Sequence, residues 1–249
     1  MVELKTEENI AEIRRAGRVL AKVFIKIQKK IAPGISTQEI DNWIKSSVEE
    51  YGGSCAFFGY RNYPANSCIS VNEEVVHGVP SLNKVLKEGD IVSVDIGVKL
   101  GRYCVDAAVT YPVGNIDRER KKLIDATRKA LELGIREAYP GNFLSNISCR
   151  IQRYVESCGF SVVRDLAGHG IGQNIHEDPE IPNYGRPDCG IKLKKGMVLA
   201  IEPMVNVGNW EVEVLSDGWT VVTKDRSPSA HFEHTIAILD NGPEILTRL

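Results

Sequence analysis

Two segments near the start of the chain carry apolar residues at the spacing of an α-helix. The first opens at a capping residue, Thr6, and is predicted to run to a stop at Ala32-Pro33-Gly34. The second opens with Ser36 and Glu39, which form the sequence pattern of a capping box, and ends at Gly52-Gly53. Both segments are therefore predicted to be amphipathic helices that bury one face.

The same pattern returns later in the chain, where Pro140-Gly141 corresponds to Pro33-Gly34, and the neighbouring segments align at the same offset. A third helix is predicted over residues 117–138, and a fourth ends at Gly159, which is the repeat equivalent of Gly52. The offset also aligns residues 86–95 with 193–202, each a turn followed by a buried strand that ends in a carboxylate. This internal repeat predicts an α+β fold in which one domain, residues 1–249, contains two related helix–helix–sheet halves.

Residues 90–111 alternate between apolar and polar positions as two strands of a β-hairpin do. If Leu100 and Gly101 form a two-residue loop, Asp95 and Asp106 lie directly opposite each other, with Cβ atoms about 4.5–5.5 Å apart. Like charges at that distance repel, so a shared proton, a nearby Lys or Arg, or divalent metal ions would have to neutralise them. The simpler alternative to a neutralised pair is that both Asp side chains lie on a strand face exposed to solvent.

The composition limits which binding partners and which cellular compartment are expected. The 249 residues contain 31 Lys and Arg against 33 Asp and Glu, a formal charge of −2, which gives no reason to expect DNA or an anionic membrane as a partner. No apolar stretch approaches the roughly 20 residues that cross a bilayer, and the first residues do not resemble a signal peptide. The six cysteines show no CxxC spacing, so we expect reduced thiols and a cytoplasmic location.

All five histidines fall in three short segments, and two further carboxylates lie near them or at a strand end. The candidate metal ligands are Asp95, Asp106, His169, Glu202 and Glu233. Four carboxylates and one imidazole suit a pair of hard or borderline divalent ions, which together can activate a water for attack on a carbonyl. His77 and His176 then remain as neutral imidazoles for substrate contact. The residues alone thus indicate a metal-dependent hydrolase.

Six motifs, in this order, resemble those of type I methionine aminopeptidases, members of the pita-bread metallopeptidase family. They are residues 70–73 with 77–80, Val94-Asp95-Ile96 with Asp106, 168–172, 176–179, Ile201-Glu202-Pro203 and 232–235. The resemblance covers nearly the whole chain. It implies two pseudo-symmetric halves around a central antiparallel sheet, and removal of the initiator methionine from nascent proteins whose second residue is small.

The resemblance also implies a role for each site residue. Asp106 and Glu233 would bridge two metal ions, Asp95 would complete the shell of one, and His169 and Glu202 that of the other. Glu202 would also accept the proton of the attacking water, while His77 and His176 would contact the nitrogen and carbonyl sides of the scissile peptide. The implied substrate pocket consists of Phe57, Tyr60, Tyr63, Cys68, Ile175 and Trp219.

Three positions depart from the family pattern: Phe57 replaces a frequent Cys, Ile175 a frequent aromatic residue and His231 a frequent Gln. None is an implied metal ligand, so the departures bear on pocket shape and on the tuning of the ligands. The ligand set is compatible with Co, Mn, Fe or Zn.

Two other functions remain open at this level. One is a prolyl-specific relative, aminopeptidase P or prolidase, although such enzymes usually carry a large additional N-terminal domain. The other is a pita-bread binding module without catalysis, although such proteins lose ligands that this chain retains. The expected partners are nascent polypeptide N-termini, a monomer is expected, and a basic run at residues 118–122 leaves transient ribosome contact open beside a solvated helix face.

Overall fold

The structure is a computed structural model that describes residues 2–248. Its helices are α1 (Glu7–Ile27), α2 (Thr37–Glu50), α3 (Arg118–Arg136) and α4 (Leu144–Ser157), with a short 3₁₀ turn at Tyr60–Asn62. The strands of the first half are β1 (Ser54–Cys55), β2 (Cys68–Val71), β3 (Glu74–Val76), β4 (Ile91–Leu100) and β5 (Tyr103–Pro112). Those that follow are β6 (Ser161–Val162), β7 (Ala167–Gly170), β8 (Glu177–Pro182), β9 (Val198–Ile201), β10 (Met204–Asn206), β11 (Val212–Val214), β12 (Val221–Thr223), β13 (Ser229–His231), β14 (Glu233–Leu239) and β15 (Gly242–Ile245).

The four helices lie where the periodicity predicts them. The Thr6 hydroxyl accepts from the backbone N–H of Asn9, and the Ser36–Glu39 capping box is present in both directions. Helix α1 ends earlier than predicted, because after Ile27 the chain enters a turn before it reaches Pro33. None of the helices in residues 2–248 has the length and apolar character needed to span a membrane.

A curved antiparallel sheet forms the centre of the fold. Its main path runs β1-β4-β5-β14-β9-β7-β8, with β2 also paired to β4 and β15 to β14. One buried hydrophobic cluster joins α1 and α2 to β4 and β5, and a second joins α3 and α4 to β9 and β14. The α+β prediction with two halves around one antiparallel sheet is confirmed.

The internal repeat persists in the hydrogen bonds. The N–H of Gly34 donates to Leu86 O over 2.8 Å, and at the repeat-equivalent position the N–H of Gly141 donates to Leu193 O over 2.9 Å. The isolated bridges Ser36–Val85 and Phe143–Lys192 repeat at the same offset. The two halves therefore share backbone geometry as well as sequence.

The register of the central hairpin differs from the sequence prediction. The loop is Gly101-Arg102, since Leu100 pairs with Tyr103, and the positive φ of 61° at Gly101 suits the first central position of a type II′ turn. Asp95 is therefore opposite Ala108, and Asp106 opposite Gly97. The two carboxylates remain on one face but are diagonal neighbours, which leaves room between them that a directly opposed pair would not have.

Candidate active site

The five predicted metal ligands come from five neighbouring strands. Asp95 lies on β4, Asp106 on β5, Glu233 at the start of β14, Glu202 directly after β9, and His169 on β7. The strands β4, β5, β14, β9 and β7 are consecutive in the sheet, so the five side chains converge on one face. In chain order the first of the five, Asp95, and the last, Glu233, belong to opposite halves of the chain.

Glycines on both sides of His169 allow its strand to approach its neighbours. A Cβ at Gly168 would overlap the carbonyl oxygen of Ala200 on β9, and one at Gly170 would overlap that of Asp178 on β8. These close contacts are made to backbone atoms, and they set the position of His169 relative to β9.

The ligand atoms lie within the reach of one cation. One carboxylate oxygen each of Asp106 and Glu233 and one ring nitrogen of His169 lie within 4.8 Å of one another. His169 Nε2 is 3.6 Å from Glu202 Oε1. His169 Nδ1 is 2.9 Å from the carbonyl oxygen of Gly170; because a carbonyl can only accept, Nδ1 carries the proton and Nε2 presents its lone pair to the acids.

Four clustered carboxylates, three of them buried and Glu202 half-buried, repel one another unless protons or a cation neutralise them. Among the described residues none of the four forms an ion pair with a Lys or Arg, and Asp95 Oδ1, Asp106 Oδ1 and Glu233 Oε1 have no hydrogen-bond partner. Burial raises the pKa of Asp106 to about 7. Burial, reinforced by the Asp106 charge, raises the pKa of Asp95, Glu202 and Glu233 well above their ordinary values. Orphaned carboxylate oxygens of this kind are what a divalent cation binds.

The histidines of the site are held neutral. Burial lowers the pKa of His169 to about 4 and that of His176 to about 3, and it also lowers the pKa of His77. The His176 ring lies between Tyr60, at 5.1 Å and nearly parallel, and His169, at 4.2 Å. His77 has a positive φ of 58°, an uncommon conformation for a non-glycine residue and one that clusters at functional sites.

A cavity of about 200 Å³ opens above these side chains. From the predicted site it is lined by Phe57, Tyr60, Tyr63, Cys68, His77, Asp95, Asp106, His169, His176, Glu202, Trp219 and Glu233. Tyr63 and Trp219 meet edge to face with centroids 5.1 Å apart, and Cys68 is opposite Asp95 across β2 and β4. One wall of the cavity is thus aromatic and apolar, and its floor is acidic.

Phe57 fits the site by packing on a glycine. A Cβ at Gly97 would lie 2.7 Å from the Phe57 ring, and Gly97 is the residue opposite Asp106. The ring therefore covers the sheet beside the carboxylates.

One predicted pocket residue is placed elsewhere. The side chain of Ile175 is buried in the hydrophobic cluster of α1 and α2 and does not line the cavity. An apolar side chain directly before His176 is more stable in the core than beside the acids, and this alternation turns His176 toward the cavity.

Sequence reasoning missed five residues that line the cavity: Arg61, Val76, Leu166, Ala167 and Met204. Met204 could have been found, because it lies two residues after Glu202 and extended backbone places such positions on one face. His231, noted only as a departure, is buried with Nε2 3.5 Å from Glu202 Oε2 and with neither ring nitrogen hydrogen-bonded.

Comparison with known proteins assigns the arrangement to a family. Residues 11–240 match the sequence model of metallopeptidase family M24. The chain is 52% identical to methionine aminopeptidase 1 of Bacillus subtilis over 249 residues, covering 100% of both, and 52% identical to the methionine aminopeptidase of Clostridium perfringens over 247 residues. The crystal structure of a methionine aminopeptidase from Thermotoga maritima matches with a TM-score of 0.98 at 48% identity over 100% of both chains. A prolidase from Pyrococcus furiosus shares the fold, with a TM-score of 0.79 at 23% identity, and this chain covers 65% of it.

Proposed function

Because the chain belongs to the methionine aminopeptidases of metallopeptidase family M24, we propose that it removes the N-terminal methionine of polypeptides whose second residue is small. Membership of the family makes it a metal-dependent hydrolase. The observation that carries the proposal is the convergence of the five candidate ligands, from β4, β5, β14, β7 and the end of β9, on the floor of an aromatic-walled cavity.

The ligand set fits two divalent ions, of Co, Mn, Fe or Zn. Asp106 and Glu233, together with Asp95, His169 and Glu202, are the residues that would hold these ions. Asp106 is central, since its charge contributes to the raised pKa of each of the other three carboxyl groups. Bound ions would supply Lewis-acid polarisation of the scissile carbonyl and a water of lowered pKa.

The protein's own residues then handle substrate and protons. Glu202 is proposed to accept the proton of the attacking water, and the imidazoles of His169 and His231 lie 3.6 and 3.5 Å from its two oxygens. His176, neutral and in ring contact with Tyr60 and His169, is proposed to donate its N–H to the scissile carbonyl oxygen, where negative charge develops. His77 is proposed to contact the nitrogen side of the same bond.

The substrate methionine is proposed to lie against Tyr60, Tyr63, Cys68 and Trp219, with Phe57 closing the wall. A flexible thioether packs well on aromatic rings, and a thiol adds a small, soft contact. Burial, reinforced by the Asp95 charge, raises the pKa of Cys68 well above its ordinary value, so the thiol remains protonated. Cys68 is therefore suited to packing and not to acting as a nucleophile.

We further propose that residues 1–249 act as one catalytic domain and as a monomer. The central sheet contains β4 and β5 from one half of the chain and β9 and β14 from the other, so the site requires both halves together. The proposed substrates are nascent polypeptide N-termini in the cytoplasm, with transient contact to the ribosome.

The test is methionine release from the peptide Met-Ala-Ser, measured anaerobically while Co, Mn, Fe or Zn is titrated and occupancy per chain is followed. We expect activity to require metal and to be abolished by Asp106→Asn or Glu233→Gln. Ala-Pro-Ser serves as the peptide that a prolyl-specific enzyme would cleave instead. A metal-loaded protein that binds Met-Ala-Ser but releases no methionine would contradict the proposal.

A further inference from the structure

The segment before α1 contributes a buried ammonium group close to the candidate site. The side chain of Lys5 is 1% exposed, and Nζ lies 2.9 Å from Glu177 Oε2 and 2.7 Å from Glu3 Oε2. The Lys5 backbone N–H donates to Gly196 O over 2.7 Å. Lysine is almost never this deeply buried unless it is paired, so the ion pair with Glu177 fixes both the segment and the carboxylate.

Glu177 uses its second oxygen to hold the loop that carries His176. Glu177 Oε1 accepts the backbone N–H of Asn174 over 3.0 Å. The N–H of Gly172 in turn donates to Asn174 O over 3.1 Å. One carboxylate thus joins the ammonium of Lys5 to a tight turn over residues 172–177, and His176 is its last residue before β8.

The packing between Lys5 and this turn leaves no spare room. A Cβ at Gly172 would lie 2.5 Å from Lys5 Cε and 2.9 Å from Glu177 Oε1. The glycine of the 168–172 motif therefore admits the lysine stem, a requirement separate from that of Gly168 and Gly170. The pKa of Lys5 is raised: burial lowers it, but the hydrogen bonds and charges of Glu3 and Glu177 outweigh that effect, so the group is charged.

We propose that Lys5 is a positioning residue for His176, acting through the Glu177 carboxylate on the turn of residues 172–177. The proposal rests on the proposed function only in taking His176 as the group that contacts the scissile carbonyl. Among the described residues, His176 has ring contacts with Tyr60 and His169 and no hydrogen bond that would hold the ring. Its position along the cavity therefore depends on the backbone of the turn, which Glu177 and Lys5 hold together with the Cys104 N–H that donates to Gly172 O over 2.7 Å.

The variants Lys5→Met and Glu177→Gln test this. Met retains an apolar stem over Gly172 without the charge, and Gln retains an acceptor for Asn174 without the ion pair. For either variant we expect kcat on Met-Ala-Ser to fall about tenfold with KM changed less than about twofold, because displacement of a catalytic group by a fraction of an ångström lowers turnover more than binding. Hydrogen exchange at the amide of Asn174 should accelerate in both.

A matched control is available on α1. Arg14 forms a bidentate pair with Glu244, at 2.6 and 2.7 Å, that ties α1, the helix directly after the Lys5 segment, to β15 away from the cavity. Arg14→Met should leave kcat and the exchange of the 172–177 turn unchanged.

The effect must also disappear when His176 is removed. In a His176→Ala background, Lys5→Met should cause no further loss of kcat, whereas a general loss of structure would lower kcat by the same factor in both backgrounds. An equal loss in both backgrounds, or an unchanged Asn174 exchange rate in Lys5→Met, would overturn the proposal. Failure of the wild-type protein to release methionine would instead contradict the proposed function. The exchange rate of the Asn174 amide would still show whether Lys5 and Glu177 hold the turn of residues 172–177.

Discussion

Replacement of Asp106 by Asn should abolish turnover and, in the metal-free protein, increase stability. Asp106 is 3% exposed, one of its carboxylate oxygens has no hydrogen-bond partner among the described residues, and it lies beside the buried Asp95 and Glu233 and the half-buried Glu202. Its ionised form is useful only when a cation is present. Asn has the same shape and retains a carbonyl oxygen, but it carries no charge to desolvate.

The magnitude follows from the pKa. Burial raises the pKa of Asp106 from 3.8 to about 7. The folded state therefore binds a proton that the unfolded state releases across this interval, so the free energy of unfolding falls as pH rises from 3.8 to about 7 and is level above it. At about 1.36 kcal/mol per pKa unit the cost above pH 7 is on the order of 4 kcal/mol. The Asp106→Asn variant would not incur this cost.

The assay is urea unfolding with excess chelator at pH 4, 6 and 8. The difference in unfolding free energy between Asp106→Asn and wild type should be near zero at pH 4 and should grow toward a few kcal/mol at pH 8. Buried histidines titrate in the same range, but they are common to both proteins and cancel in the difference. Asp125→Asn, at an exposed position on α3 whose side chain is 58% accessible, is the control and should show no such trend.

The reasoning is refuted if metal-free Asp106→Asn is no more stable than wild type at pH 8. With metal bound the order should reverse, because wild-type Asp106 then has a cation partner and the variant has lost a ligand. A substitution that stabilises the metal-free fold while removing activity would show that the acidic cluster is maintained for metal binding at a cost in stability.

Three further predictions concern packing, substrate binding and metal. Gly168→Ala should destabilise the fold by about 1–3 kcal/mol in urea unfolding, because the new Cβ would overlap Ala200 O, whereas Gly185→Ala, whose nearest neighbour would be 3.7 Å away, should be close to neutral. Trp219→Ala should raise KM for Met-Ala-Ser about tenfold with a smaller change in kcat, since the ring that meets Tyr63 edge to face is a wall of the cavity and not a proton donor or acceptor to the reacting bond. Removal of metal with a chelator should abolish methionine release and lower the unfolding temperature at pH 8, and both should recover on adding the metal back; unchanged activity in metal-depleted protein would contradict the assignment of the acidic cluster.

Local features of the chain were sufficient for much of the fold. Periodic apolar positions locate all four helices, and capping residues mark the starts of α1 and α2, because these signals act within one or two turns. The boundaries were less accurate: the apolar spacing continues to Ile31, but α1 ends at Ile27. Continued periodicity shows that a residue can face the core and does not show that the backbone remains helical there.

The candidate site was also largely indicated by sequence, through residue types and their order. What was missed depends on contacts between distant segments. Leu166 reaches the cavity because the chain before β7 folds beside it, and Lys5 meets Glu177 across 172 residues. No local pattern distinguishes an N-terminal lysine that will be buried from one that stays in solvent.

The amino-acid sequence was enough to locate the four helices and the central hairpin, to show two related halves at one constant offset, and to name side chains that could bind metal. Only the tertiary structure decided how these side chains meet. Alternation assigns Asp95 and Asp106 to one face of a hairpin, but their register depends on the turn, and Gly101 with its positive φ moved them from opposite to diagonal positions. Likewise Ile175 could have faced either the core or the cavity, and the burial of its neighbours in the α1–α2 cluster decided it. The physical reason is the same in both cases: local periodicity fixes a face, whereas register and partner are set by the packing of distant segments.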